Sequence, residues 1–148
     1  MEWFEINWRG PYSLENARDK RASENFGVYA IFEKSRSFKL LYIGETYWQT
    51  FGKRLKQHKR DWLDKLRGQQ VITFGDVLLS EGKHISHERV MDVENALIHY
   101  LRPPYNTIGK RGYSGREILI FNTGKPCSLD KIICHESRLM TLLKRSIR

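Results

Sequence analysis

Alternating apolar and polar side chains predict a β-hairpin in the first third of the chain. Residues 27–33 follow the period of two that is typical of a strand, and residues 39–45 repeat it. The segment between them, EKSRSFK (33–39), is polar and suits a turn. We therefore expect two antiparallel strands that bring Tyr29 and Tyr42 near each other at the sheet surface.

Helical and strand-like patterns alternate through the middle of the chain. Residues 50–67 predict a helix with an apolar stripe formed by Phe51, Leu55, Trp62 and Leu66, and His58 lies on that stripe. Residues 71–79 predict a third strand. Residues 86–101 predict a second helix, with Ser86 as its N-cap, and the prolines at 103 and 104 end it.

The two ends of the chain have weaker patterns. Residues 1–26 begin with aromatic side chains that we expect to cover one end of the core, and a short helix can begin near Ser13. Residues 117–122 predict a last strand, and residues 139–147 a short closing helix. The length fits one α+β domain over 1–148, with a core at about 27–107 and flanks at 1–26 and 108–148.

Positive charge is concentrated in two segments. The net charge is +9, and residues 51–67 and 102–148 contribute +5 and +7 of it, against −3 for the rest. Clustered charge of this kind is typical of proteins that bind nucleic-acid phosphates, although it also occurs on ordinary solvated surfaces. We find no membrane-spanning run and no signal peptide, and we expect a cytoplasmic protein without a membrane partner.

Five short motifs occur in a characteristic order. They are Gly27-Val28-Tyr29, Tyr42-Ile43-Gly44, a helix with Arg54 and His58 four residues apart, Glu94 in the second helix, and Asn106 after Pro103-Pro104-Tyr105. This order resembles the GIY-YIG nuclease superfamily, and in particular its restriction endonucleases with a histidine four residues after the arginine. The gap between the two tyrosines is slightly longer than usual, and the turn at 33–39 can hold the extra length.

The resemblance implies a fold, a reaction and a role for each motif residue. The fold would be a small central three-stranded antiparallel sheet flanked by helices, and the reaction hydrolysis of phosphodiester bonds in DNA. Tyr29 would be the general base, with His58 receiving or polarising its hydroxyl. Arg54 would bind the scissile phosphate, and Glu94 would bind one divalent cation, Mg²⁺ or Mn²⁺. Tyr42 would orient the water or the phosphate, and Asn106 would brace the region of Glu94 or touch the phosphate.

Further basic residues are candidates for phosphate contact. They lie on the first predicted helix and in the glycine-rich loop at 109–116, and they are Lys53, Lys56, Lys110, Arg111 and Arg116. Two other readings stay open: a non-catalytic nucleic-acid-binding module on the same fold, and a nuclease that acts on RNA. The sequence contains no readable base code, and it leaves open whether the protein is a monomer or a homodimer.

Overall fold

The computed structural model describes residues 1–19, 27–46, 51–79, 85–110 and 112–135. These residues form six strands, three α-helices and one short 3₁₀ helix. In chain order they are β1 (Glu2–Ser13), α1 (Leu14–Asp19), β2 (Gly27–Lys34), β3 (Phe38–Glu45), α2 (Phe51–Asp61), the 3₁₀ helix (Leu63–Lys65), β4 (Gln69–Leu79), α3 (His87–Leu101), β5 (Ile118–Gly124) and β6 (Ile132–His135).

The six strands form one sheet in the order β3-β2-β4-β1-β5-β6. Every neighbouring pair is antiparallel except β1 and β5, which are parallel. The expected α+β class is confirmed, but the sheet is twice the expected size. The predicted strands at 27–33, 39–45 and 71–79 correspond to β2, β3 and β4, so the three-stranded sheet is only one half of the observed one.

The N-terminal segment supplies one of the three additional strands. It is a strand between β4 and β5, so the prediction that its aromatic residues cap one end of the core was wrong. Phe4, Ile6 and Trp8 are buried while Trp3 and Glu5 are exposed, which is the alternation of a strand. The aromatic residues hid that alternation because Trp3, although large and apolar, points away from the core.

Two helical layers cover the sheet. Alternate residues of β2 face opposite sides: Val28, Ala30 and Phe32 join the core under α3, whereas Tyr29 and Ile31 join a second core with α1 and α2. The sheet therefore places Tyr29 on the side of the basic helix α2.

Among the described residues, no helix has the length and apolar character that a membrane span requires.

The helix boundaries follow local contacts. Ser86 caps α3 as predicted, because its hydroxyl accepts a hydrogen bond from the Arg89 backbone amide. The predicted helix at 50–67 instead leaves regular geometry at Trp62, whose φ of −153° ends α2 before the 3₁₀ helix. Three predictions lie outside the described residues: the helix start at Thr50, phosphate contact by Arg111, and the helix at 139–147.

A β-bulge in β3 contains part of the extra sequence length between the two tyrosines. Ile31 is opposite Tyr42 and Phe32 is opposite Leu40, so Leu41 is an extra residue in the ladder. The strands continue to Lys34 and from Phe38, which leaves a turn shorter than the predicted one. As a result, Leu41 and Tyr42 both pack on the side of α2.

Candidate functional site

Strand register brings the two tyrosines together. Tyr29 is opposite Gly44, and the rings of Tyr29 and Tyr42 stack with centroids 6.0 Å apart. A methyl group at Gly44 would overlap the Tyr29 hydroxyl, so the glycine leaves the space that this ring occupies. The second glycine of the motif pair is therefore explained by close packing against the first tyrosine.

Helix α2 contributes the next two side chains. His58 is 5 % exposed, and its Nε2 lies 2.6 Å from the Tyr29 hydroxyl oxygen. Arg54 donates a hydrogen bond to the Tyr42 hydroxyl at 3.3 Å and another to Gln57 at 2.9 Å. Because residues four apart lie on one helical face, the predicted Arg54 and His58 pair reaches both tyrosines at once.

Trp62 contacts His58 and so joins the cluster formed by Tyr29, Tyr42, Arg54 and His58. Its indole nitrogen donates to Nδ1 of His58 at 3.2 Å, and its ring stacks on Tyr105 at 4.4 Å. Tyr105 follows α3 in the chain, and its backbone amide donates to the carbonyl of Leu41 in β3. The indole thus connects α2 to the turn that follows α3.

Asn106 is hydrogen-bonded to strand β3 through both ends of its side-chain amide. Its side-chain oxygen accepts from the Ile43 amide at 2.9 Å, and its side-chain nitrogen donates to the Ile43 carbonyl at 2.8 Å. Asn106 is buried, and both ends of its amide are used on the residue next to Tyr42. The structure therefore gives Asn106 a part in holding β3, and the two roles implied by the resemblance stay predictions.

Glu94 faces the same cluster from α3. Burial raises the pKa of Glu94 to about 7, the Glu45 carboxylate adds to this rise, and Arg54 and the Glu45 backbone amide oppose it. Glu94 also raises the pKa of both Tyr29 and Tyr42 by its charge. The carboxyl group is thus close enough to the arginine and the two tyrosines to act on all three.

Burial keeps the central pair neutral. It raises the pKa of Tyr29 well above its usual value of 10.0, and the proximity of Arg54 only partly offsets this. Burial and the Arg54 charge lower the pKa of His58 to about 4. Near pH 7 the resting site therefore contains a phenol and an uncharged imidazole.

The exposed fractions define an inner and an outer part of the site. Tyr29 is 0 % exposed, whereas Tyr42, Arg54 and Glu94 are half-buried. Lys53 and Lys56 are exposed on α2, and Lys110 donates a hydrogen bond to the Pro104 carbonyl. Among the described residues, the outer part of the site is thus partly accessible to solvent, and it includes a side chain of the helix that carries the exposed Lys53 and Lys56.

Arg116 lies elsewhere and is already paired. Its guanidinium contacts the carboxylates of Glu2, Glu88 and Asp92, all with N···O distances within ion-pair range. The pairing raises the pKa of Arg116. Arg116 thus belongs to an ion-pair network that joins β1 to α3, and its phosphate contact stays a prediction.

The resemblance places one divalent cation at Glu94, whose carboxylate oxygens are the kind of ligand that a hard cation prefers. Glu94 offers a carboxylate, and a cation there would offset the repulsion from Glu45. In the described part of the chain, no group of three or more His, Cys, Asp or Glu residues is arranged to hold a metal. Water and a phosphate oxygen of the substrate would have to supply the remaining ligands.

Two members of the cluster were not identified from the sequence. Glu45 directly follows the Tyr42-Ile43-Gly44 motif, and Trp62 lies one helical turn after His58. Adjacency to the motif was the available signal for Glu45. Spacing alone predicts that Trp62 shares a helical face with His58, but it does not predict the hydrogen bond to Nδ1.

Comparisons of the chain with protein-family models, with curated proteins and with solved structures found no match. The resemblance to GIY-YIG nucleases therefore rests on the motif residues of this sequence.

Proposed function

We propose that this protein is a metal-dependent endonuclease that hydrolyses phosphodiester bonds in DNA. The observation that supports this best is the convergence of five motif side chains, Tyr29, Tyr42, Arg54, His58 and Glu94, from two strands and two helices. Phosphodiester hydrolysis needs an activated water, positive charge near the phosphate and a partner for the leaving group. This cluster contains a candidate for the first two needs.

Arg54 is the phosphate ligand in this proposal. A guanidinium stays charged at any working pH and binds two phosphate oxygens through a planar fork. Its bonds to Gln57 and Tyr42 orient it without using a carboxylate partner. A divalent cation at Glu94 would supply further positive charge at the phosphate.

Tyr29 takes a proton from the attacking water, and Tyr42 orients that water or the phosphate. Because the Tyr29 hydroxyl is fully buried, the substrate has to admit water to it as it binds. The raised pKa of Tyr29 makes the phenolate rare in the free protein, so positive charge has to favour it in the complex. Arg54 is a permanent positive charge close enough to lower the pKa of Tyr29.

The second candidate is a nucleic-acid-binding module that does not cut. The complete burial of the Tyr29 hydroxyl favours it, because a general base must reach its water. The exposed lysines of α2 would serve binding equally well in either case.

Incubation with DNA separates the two candidates. We expect purified protein with Mg²⁺ to nick or linearise supercoiled plasmid, and EDTA to stop it. Glu94→Ala should be inactive, whereas Glu88→Ala, on an exposed position of the same helix, should cut like the wild type. Salt-sensitive DNA binding without cleavage of plasmid, linear or branched duplex would favour the non-cutting module, and cleavage of RNA alone would redirect the substrate.

A further inference from the structure

The two nitrogens of His58 have different neighbours, and both contacts are short. Nε2 lies 2.6 Å from the Tyr29 hydroxyl oxygen, and Nδ1 lies 3.2 Å from the indole nitrogen of Trp62. A tyrosine hydroxyl can donate or accept, so the first contact leaves the proton position open. An indole nitrogen only donates, so the second contact requires a lone pair on Nδ1.

From these contacts we infer that Trp62 fixes the neutral His58 in the tautomer with its proton on Nε2. His58 then donates its hydrogen bond to the Tyr29 oxygen. In the opposite tautomer, Nδ1–H would point at the indole N–H, and two donors would face each other in a buried site. Trp62 is thus a positioning residue that acts on Tyr29 through His58.

The charges around His58 agree with a neutral ring. The groups that face it are Tyr29 from β2, Tyr42 from β3, and Arg54, Asp61 and Trp62 from α2 and its end. Burial and Arg54 lower the pKa of His58 to about 4, and Asp61 only partly opposes them. A neutral imidazole has one proton, and the Trp62 contact decides which nitrogen holds it.

The tautomer also decides which role His58 has in the reaction. This statement about the role rests on the proposed function. The sequence left two roles open: receiving the Tyr29 proton or polarising the hydroxyl. Because Nε2 already holds a proton, His58 cannot receive another there as a neutral base. It stabilises the Tyr29 oxygen by donation, which is the polarising role, and the phenol proton is released to solvent water when the phenolate forms.

Imidazole ¹⁵N shifts report the tautomer directly. We would record long-range ¹H–¹⁵N spectra of histidine-labelled protein near pH 7 and assign His58 by its loss in His58→Gln. The expected spectrum has a protonated Nε2 and an unprotonated Nδ1. A protonated Nδ1, or a charged ring at this pH, would overturn the inference.

Matched variants then test the indole. Trp62→Phe keeps an aromatic ring on Tyr105 and removes the N–H, and we expect the Nε2–H preference to fall by about fivefold, the size of one hydrogen bond. Tyr105→Leu removes the stacking partner but keeps the N–H, and the tautomer should not change. An unchanged tautomer in folded Trp62→Phe contradicts the inference.

Two safeguards keep the test decisive. If Trp62→Phe does not fold, the wild-type indole N–H resonance of Trp62 serves instead, because a hydrogen bond to Nδ1 should shift it downfield and slow its exchange. The tautomer can be read in a protein that cuts nothing, so failed cleavage with an Nε2–H ring refutes only the proposed function. Cleavage with an Nδ1–H ring refutes only the inference.

Discussion

Two tyrosine and histidine pairs lie toward opposite edges of the sheet and have the same contact distance. Tyr29 and His58, on the β3 side, are 2.6 Å apart from oxygen to Nε2, and Tyr100 and His135, on the β6 side, are 2.6 Å apart from oxygen to Nδ1. The first pair is buried among Arg54, Glu94 and Trp62, whereas Tyr100 is 36 % exposed. A short hydrogen bond between tyrosine and histidine therefore does not by itself indicate a functional site. The two pairs differ in their burial and in the charged groups around them.

Among the tests that follow, removal of the tyrosine hydroxyl should give the largest difference in cleavage rate between the two pairs. In the proposed nuclease, Tyr29→Phe should lower the rate of plasmid cleavage by about 10² to 10⁴-fold, because it removes the general base. Tyr100→Phe, which breaks the pair on the β6 side, should cut at the wild-type rate. Equal rates for wild type and both variants would mean that Tyr29 is not the base.

The glycine under Tyr29 provides the next test. In Gly44→Ala the new methyl overlaps the Tyr29 hydroxyl, so the ring has to move, and a displacement of about 1 Å can cost about 100-fold in rate. Gly52→Ala on α2 is the control, because a methyl there meets no atom within 4 Å. Initial cleavage rates with melting curves would measure both effects. Full activity in Gly44→Ala would show that the ring position is unimportant.

The carboxylate of Glu94 should make stability depend on pH. Folding raises the pKa of Glu94 from 4.5 to about 7, so the folded state favours the protonated form, and charging the group destabilises the protein. The penalty is absent below about pH 4.5 and complete above about pH 7, with an upper size of about 3 kcal/mol.

Chemical unfolding of Glu94→Gln measures this penalty. The variant should be more stable than the wild type at pH 8, and the gain should disappear near pH 4.5. Glu88→Gln is the control, because Glu88 has an 80 % exposed side chain and its pairing with Arg116 is worth less than about 1 kcal/mol. A gain for Glu94→Gln that is equal at both pH values would contradict the raised pKa.

The smallest expected effect concerns the surface charges at the two edges. The double variant Lys53→Ala, Lys56→Ala should weaken duplex binding and lower the slope of log K against log salt by about 1.8, or about 0.9 for each lost phosphate contact. The pair Lys125 and Lys131, both exposed beside β5 and β6, provides the control double variant. Equal slopes for both double variants would place the DNA elsewhere.

Local patterns were sufficient for the elements that hold the site. The hairpin of β2 and β3, the capped helix α3 and the shared face of Arg54 and His58 each depend on residues close in the chain. The same patterns missed the central position of β1 and the existence of β6. Pairing between β1, β4 and β5 joins distant segments, and no local period reports which strands become neighbours.

The sequence by itself determined which chemical groups this protein has: two tyrosines beside glycines, an arginine and histidine on one helical face, and a glutamate in a second helix. Only the tertiary structure decided which partners they meet. In the folded chain, Arg116 is part of an ion-pair network and Asn106 is hydrogen-bonded to Ile43. Glu45 lies close to Glu94, and Trp62 contacts His58. The physical reason is that pKa values and tautomers depend on burial and on contacts across the fold, which the order of residues does not contain.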